Sequence, residues 1–151
     1  MRRLTLAALL LTAACGGGAQ APPFRAVADT KLLMADVVER QAQIVWDAVG
    51  TIVTAEGTQE IRPKSDEDWM KVKAAAVNLT EAGNLLMMAP RAQDGDRWMK
   101  NVQRMMAESE KLMASADRRD PQQIFDQGAE LYESCVNCHT QYMPAIKDLY
   151  R

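Results

Sequence analysis

The sequence predicts an all-α protein, an antiparallel up-down-up-down bundle of four helices. Its 151 residues suffice for one domain, 48% of them are hydrophobic, and only 8 Gly and 6 Pro interrupt the chain. Apolar residues recur at helical spacing in four segments, and no strand alternation of any length is present. Because the connections are short, consecutive helices are expected to pack as antiparallel neighbours.

The first predicted helix covers about residues 24–54. Its apolar stripe includes Met34 and Ile52 at helical spacing. Residues 55–64 contain Gly57 and a proline, so they are expected to form a loop.

Start and stop signals delimit the second and third helices. Ser65 is a cap residue followed by three acidic residues, so the second helix is expected to begin there, and Pro90 to stop it. The third helix is expected from about Gly95 to about Ala116. Its charged positions, including Glu108, are interpreted as a solvated face with helical charge pairs.

The fourth helix begins with Asp120 as a cap and Pro121 in its first turn. Pro144 is expected to kink or end it near Tyr142, because proline cannot continue the backbone hydrogen-bond pattern. The predicted inner face of this helix carries the single histidine of the chain, His139.

The N-terminus is predicted to be a targeting segment. Arg2 and Arg3 precede an apolar run at residues 4–14 that is too short to span a bilayer, so residues 1–14 are interpreted as a signal peptide. The small residues before Cys15 resemble a lipoprotein box, which predicts lipidation of Cys15. The alternative is ordinary cleavage near residue 14 or 21.

Residues 15–23 are rich in Gly and end in Pro, so they are expected to form a flexible tether ahead of the helical domain at residues 24–151. Removing Arg2 and Arg3 from the 18 basic residues leaves 16 against 20 acidic ones, a net charge of −4. With no basic block, this charge argues against a nucleic-acid partner. The location expected is the periplasm of a Gram-negative bacterium, with a lipid anchor to a membrane.

The segment Cys135-Val136-Asn137-Cys138-His139 matches the attachment site for a c-type haem. Its two thiols lie one turn apart on one helical face, so each can form a thioether to a haem vinyl group. His139 follows directly and can bind the iron. The sequence therefore predicts one covalent haem c.

Two other uses of Cys-x-x-Cys compete with haem. A redox motif of thioredoxin type needs a βαβ context that is not found here. A zinc site needs further ligands, whereas the chain has only one other cysteine, Cys15, and one histidine. Since c-type haem is attached outside the cytoplasm, the export signal favours the haem interpretation.

A second iron ligand has to come from upstream, and with no other histidine the natural candidate is methionine. Met34 stands apart, because the start of the first helix of an antiparallel bundle faces the later part of the last helix. The other methionines are interpreted as core packing: Met70, Met87, Met88, Met99, Met105, Met106 and Met113.

Four helices with Cys-x-x-Cys-His near the C-terminus and Tyr142 behind it resemble the class II c-type cytochromes, which comprise the cytochromes c′ and their low-spin relatives, the cytochromes c-556. The resemblance covers nearly the whole mature chain. The segment ending in Leu33-Met34 is similar to the one that carries the axial Met in the low-spin branch, although a shift of one residue would place Leu33 there. The resemblance implies that Tyr142 packs on the haem, and class II bundles often pair through their helices, so a homodimer stays open.

Two departures from the family pattern weaken the gas-binding cytochrome c′ interpretation more than they weaken electron transfer. Met143 stands where the family often has a basic residue, and Thr30 stands where it often has Arg near a haem propionate. Arg25, Lys31 or Lys147 are alternatives for the propionates.

The leading functional prediction is a periplasmic carrier that transfers single electrons through a haem with His139 and Met34 as iron ligands, and exchanges them with membrane or periplasmic redox proteins. The alternative is a haem with His139 alone, binding NO or CO. A peroxidase-like enzyme would need a distal acid–base pair, and no second histidine supplies one, so no enzyme activity is expected.

Overall fold

The computed structural model of the protein describes residues 24–143. The predictions for the signal peptide at 1–14, for Cys15 with the tether at 15–23, and for the effect of Pro144 lie outside the described residues.

The described chain is mostly helical, with one small two-stranded sheet, so the prediction of a predominantly helical class is confirmed. Its first helical segment, residues 30–47, contains a π-helical turn. The elements in chain order are α1 (Thr30–Leu33), the π-helical turn (Met34–Val38), α2 (Glu39–Asp47), β1 (Gly50–Thr54), β2 (Gly57–Ile61), α3 (Asp66–Met87), α4 (Arg97–Asp117) and α5 (Pro121–Tyr142).

The hairpin of β1 and β2 corrects two expectations: a first helix reaching residue 54 and a fold without strands. The strands are antiparallel, with Ile52 opposite Gln59 and Thr54 opposite Gly57. The run from Thr51 to Thr54 consists of β-branched residues, which lose side-chain freedom in a helix and suit a strand. Gly57 has a φ of +146°, which favours glycine at the turn.

The predicted starts of the second, third and fourth helices are confirmed by local capping. The first helix begins at Thr30 and not near residue 24, because the Asp29 carboxylate caps it by accepting from the backbone N–H of Leu32 at 2.8 Å. The Ser65 hydroxyl accepts from the backbone N–H of Asp68 at 3.1 Å, and the Asp68 carboxylate accepts from the backbone N–H of Ser65 at 3.0 Å. Before α4, Asp94 supplies the cap by accepting from the backbone N–H of Trp98 at 2.9 Å. The Asp120 carboxylate accepts from a backbone N–H at 3.0 Å and begins α5.

The helices bury one continuous apolar core. α3 packs on α4, α4 on α5, and α2 lies against both α3 and α5. The indole N–H of Trp98, at the start of α4, donates to the carbonyl of Leu86, at the end of α3, at 2.9 Å. The largest fully buried apolar side chains are Leu79, Leu86, Leu112, Ile124 and Leu131. No helix within residues 24–143 is long and apolar enough to cross a membrane.

Two side-chain predictions are wrong. Glu108 was expected on a solvated face, but it is only 7% exposed, and the Lys111 ammonium lies 2.9 Å from its carboxylate. It faces inward because it lies on the buried side of α4 beside Leu112. Met70 was expected in the core, but it is 62% exposed because the buried side of α3 passes through Val72 instead.

Gly83 permits the close approach of α3 and α4. A Cβ atom at this position would lie 2.3 Å from Cγ of Met106 and 2.7 Å from its sulfur. Both distances are far below van der Waals contact, so a larger residue must push Met106 or the helices apart.

Gly83→Leu is expected to lower the free energy of unfolding by about 1–3 kcal/mol, because overpacking here outweighs the gain in helix propensity. Urea unfolding checks this. Gly95→Leu is the matched control, since nothing lies within 4 Å of a Cβ there. Equal stability of the two variants would show that Met106 moves aside without cost.

Candidate functional site

The last turns of α5 carry the cysteines and the histidine of the motif. Cys138 is buried, whereas Cys135 and His139 are half-buried. They lie within one regular helix, so both thiols and the imidazole fall on neighbouring positions of the same face. This face is directed to the interior of the protein.

These three side chains line a cavity of about 310 Å³. The cavity lies between the first helical segment, α3, α4 and α5, and Leu86 and Val102 contribute to its apolar wall. Met34 and Met105 also line it. The fold therefore brings Met34 close to the motif, although more than 100 residues of chain separate them. Among the described residues, Met34 and Met105 are the two methionines that line the cavity.

Met34 is the first residue of the π-helical turn. Its carbonyl accepts from the backbone N–H of Glu39, five residues later, which is the hydrogen bond of a π-helix. Such turns occur frequently at functional sites. The neighbouring Leu33 is 3% exposed and packs in the core, and it is not among the described residues that line the cavity.

Tyr142 is the last residue of α5, and its side chain contacts the start of α4. Its hydroxyl donates to the Asp94 carboxylate, and its ring packs edge-to-face on Trp98 with centroids 5.0 Å apart. It is not among the described residues that line the cavity. In this structure Tyr142 therefore ties the end of α5 to the start of α4.

Asn101 is a site residue that the sequence interpretation missed. It is 7% exposed, lines the cavity and accepts from Nδ2 of Asn137 at 3.2 Å. Its own Nδ2 donates to Gln141 at 3.3 Å. Because Asn137 lies between the two cysteines, these bonds hold the motif against α4. A polar residue inside the apolar stripe of α4 was the available signal.

Burial determines the protonation of the motif. It raises the pKa of Cys138 to about 11 and also raises the pKa of Cys135, so both thiols are protonated at neutral pH. Burial lowers the pKa of His139, which leaves its imidazole neutral. A neutral imidazole has a free lone pair and can bind a metal.

The hydrogen bond between the Tyr142 hydroxyl and the Asp94 carboxylate makes the free energy of unfolding depend on pH. It lowers the pKa of Asp94, whereas burial, together with this bond, raises the pKa of Tyr142 to about 12. The stabilisation requires an ionised Asp94 and a protonated Tyr142. It is therefore lost in acid as the pH falls through the lowered pKa of Asp94, and in alkali as the pH rises through about 12.

Tyr142→Phe is expected to lower the free energy of unfolding at neutral pH, and the difference from the wild type should shrink as Asp94 becomes protonated. Urea unfolding at a series of acidic pH values measures this. A difference that stays constant down to strongly acidic pH would show that the Tyr142 hydroxyl stabilises the protein independently of the charge on Asp94.

Comparisons of the chain with protein-family models, with curated proteins and with solved structures found no match. Within residues 24–143, no group of three or more His, Cys, Asp or Glu side chains is placed to hold a metal ion. Support for a function therefore comes from the motif and the cavity that it lines.

Proposed function

We propose that the protein is an electron carrier that resembles the class II c-type cytochromes. One covalent haem c would occupy the cavity that Cys135, Cys138 and His139 line. The observation that carries this proposal is that Met34 lines the same cavity as Cys135, Cys138 and His139. The proposed fold is an antiparallel up-down-up-down four-helix bundle. Contacts between opposite helix ends support it: Trp98 with Leu86 joins the start of α4 to the end of α3.

The residues at the cavity fit a haem. Two protonated thiols one turn apart suit thioether formation, and a neutral His139 and the thioether of Met34 would hold the iron. The apolar wall suits the porphyrin ring, and about 310 Å³ lies at the lower end of the range for ligand pockets. When bound, the haem supplies reversible uptake of one electron.

The protein's own contribution is to hold both ligands in place and to keep water from the iron. Asn101 and Asn137 hold α5 against α4, and the π-helical turn carries Met34. With His139 and Met34 both holding the iron, no position would be left for a substrate, so the proposed function is electron transfer without catalysis. Lipidation at Cys15 and the tether at 15–23 would keep the carrier beside redox partners at a periplasmic membrane surface.

The test is an absorption spectrum of the mature protein, expressed with haem-attachment machinery, in oxidised and reduced forms, with and without CO. A low-spin spectrum, a weak sulfur-to-iron band in the oxidised form and no response to CO are expected. A high-spin spectrum that shifts with CO would replace electron transfer by the gas-binding alternative. No haem spectrum would overturn both.

A further inference from the structure

A second apolar concavity opens on the surface between α2 and α5. This outer groove has a volume of about 390 Å³ and is lined by Val45, Trp46, Val49, Phe125, Ala129 and Tyr132, among others. Phe125 is 57% exposed and Tyr132 is 44% exposed, which is unusual for large aromatic side chains. An exposed apolar patch of this kind is typical of an interaction site.

The outer groove shares a wall with the cofactor cavity. Trp46 and Tyr132 line both, and their rings meet edge-to-face with centroids 5.8 Å apart. The indole N–H of Trp46 donates to the carbonyl of Gly128 at 3.0 Å. A Cβ at Gly128 would lie 3.4 Å from the Trp46 ring, so the glycine lets the indole lie close against α5. This pair, the aromatic wall, is the barrier between the groove and the cavity.

The surface around the outer groove is acidic. Between Pro121 and Tyr142, α5 has no Lys or Arg, and its three acidic residues are Asp126, Glu130 and Glu133, all exposed. Asp126 and Glu133 lie three and four residues from Ala129 in the groove, on the same side of the helix. Of these three, only Glu130 lies near a basic side chain within residues 24–143, with Arg104 at 3.9 Å.

Across the groove, α2 adds Asp47, which follows the groove residue Trp46, and the single basic residue of α2, Arg40, lies 3.2 Å from Asp36. By contrast, α4 has four basic residues and three acidic ones. Asp47, Asp126 and Glu133 therefore place negative charge beside the apolar groove.

We propose that the outer groove is the docking surface for a one-electron redox protein whose own apolar contact patch is ringed by Lys and Arg. The proposal rests on the proposed function. An apolar centre with a charged rim is the usual anatomy of a transient interface, and opposite charge speeds association. One electron crosses the aromatic wall, so one protein is oxidised as the other is reduced, and no bond or proton moves.

The negative charge beside the outer groove disfavours binding of a second copy of this chain there. A symmetric dimer through the groove would bring Asp126 and Glu133 of each copy near those of the other, and like charges brought together at an interface oppose association. A basic partner gains from the same groups.

The experiment follows oxidation of the reduced, haem-loaded protein by stopped flow. The oxidants are mitochondrial cytochrome c, a basic redox protein, and ferricyanide, a small anion. The test variant is Asp126→Lys with Glu133→Lys. The matched control is Glu81→Lys with Glu110→Lys, which makes the same change in net charge at exposed positions of α3 and α4.

At low salt the rate with mitochondrial cytochrome c is expected to fall about tenfold in the groove variant and much less in the control, and the difference should vanish at high salt. Phe125→Ser should lower the same rate, whereas Met70→Ser, also an exposed apolar residue, should not. The rate with ferricyanide should not fall in the groove variant, since removing negative charge favours an anion.

Equal effects of the two double variants would overturn the proposal, because the rate would then follow net charge alone. A wild-type dimer in sedimentation that Phe125→Ser dissociates would also overturn it and make the groove an interface between copies. If every variant retains a low-spin spectrum, either of these two results would overturn the docking proposal and leave the proposed function intact. No haem spectrum in the wild type would overturn both proposals.

Discussion

Met34→Ala is expected to convert a low-spin haem protein that does not respond to CO into a high-spin one that binds it. Alanine has no donor atom, so the iron would keep His139 as its single protein ligand and gain an open position. The weak sulfur-to-iron band of the oxidised protein should disappear at the same time. The measurement is the absorption spectrum of the variant beside that of the wild type, with and without CO.

Met105→Ala is the sharpest control for this prediction, because Met105 is the other methionine among the described residues at the cavity. It is 6% exposed, so its truncation should cost about 2–5 kcal/mol of stability but leave the low-spin spectrum intact. If Met105→Ala loses the sulfur band while Met34→Ala keeps it, Met105 is the ligand. If the wild type is already high-spin, neither methionine binds the iron.

Cys135→Ser combined with Cys138→Ser is expected to leave no haem on the polypeptide after denaturation. The hydroxyl of serine does not form the thioether bonds, and His139 alone holds haem only through a reversible bond to iron. Haem staining of a denaturing gel, together with the intact mass of the protein, measures this. The wild type should carry the mass of one haem and retain it through denaturation.

The matched control is Cys15→Ser, which removes the remaining cysteine of the chain. This variant should keep its covalent haem and leave the membrane fraction, because it lacks the predicted lipid anchor. Haem retained on the double variant after denaturation would contradict thioether attachment at the motif. A Cys15→Ser protein that stays in the membrane fraction would contradict lipidation.

The helix starts could be predicted because capping is a local interaction. The side chains of Ser65 and Asp120 each accept a hydrogen bond from the backbone N–H three residues later, so the local sequence is enough to predict their capping roles. The burial of Glu108 could not be predicted in this way. Its environment depends on how α4 is rotated against its neighbours, and the helical spacing to Lys111 suits a buried pair as well as an exposed one.

The hairpin was missed because a short β-branched run of mixed polarity also fits the end of an amphipathic helix. Ile52 lies at helical spacing from Ile44, but it is 45% exposed in β1. Thr51 to Thr54 and the turn before Gly57 were the available signals. A strand of this kind forms only when it pairs with a second strand, and the spacing of residues within one segment gives no information about such a partner.

By itself, the sequence determined the predominantly helical class, the capped starts of α3 and α5, and a Cys-x-x-Cys-His motif that matches the attachment site for a c-type haem. Each depends on residues within a few positions of one another. Only the tertiary structure decided that Met34 and Met105 line the cavity of Cys138 and His139, that Leu33 packs in the core, and that an aromatic wall separates the cavity from an acidic-rimmed groove. These features depend on how separate helices are rotated and packed, and burial against distant neighbours determines that.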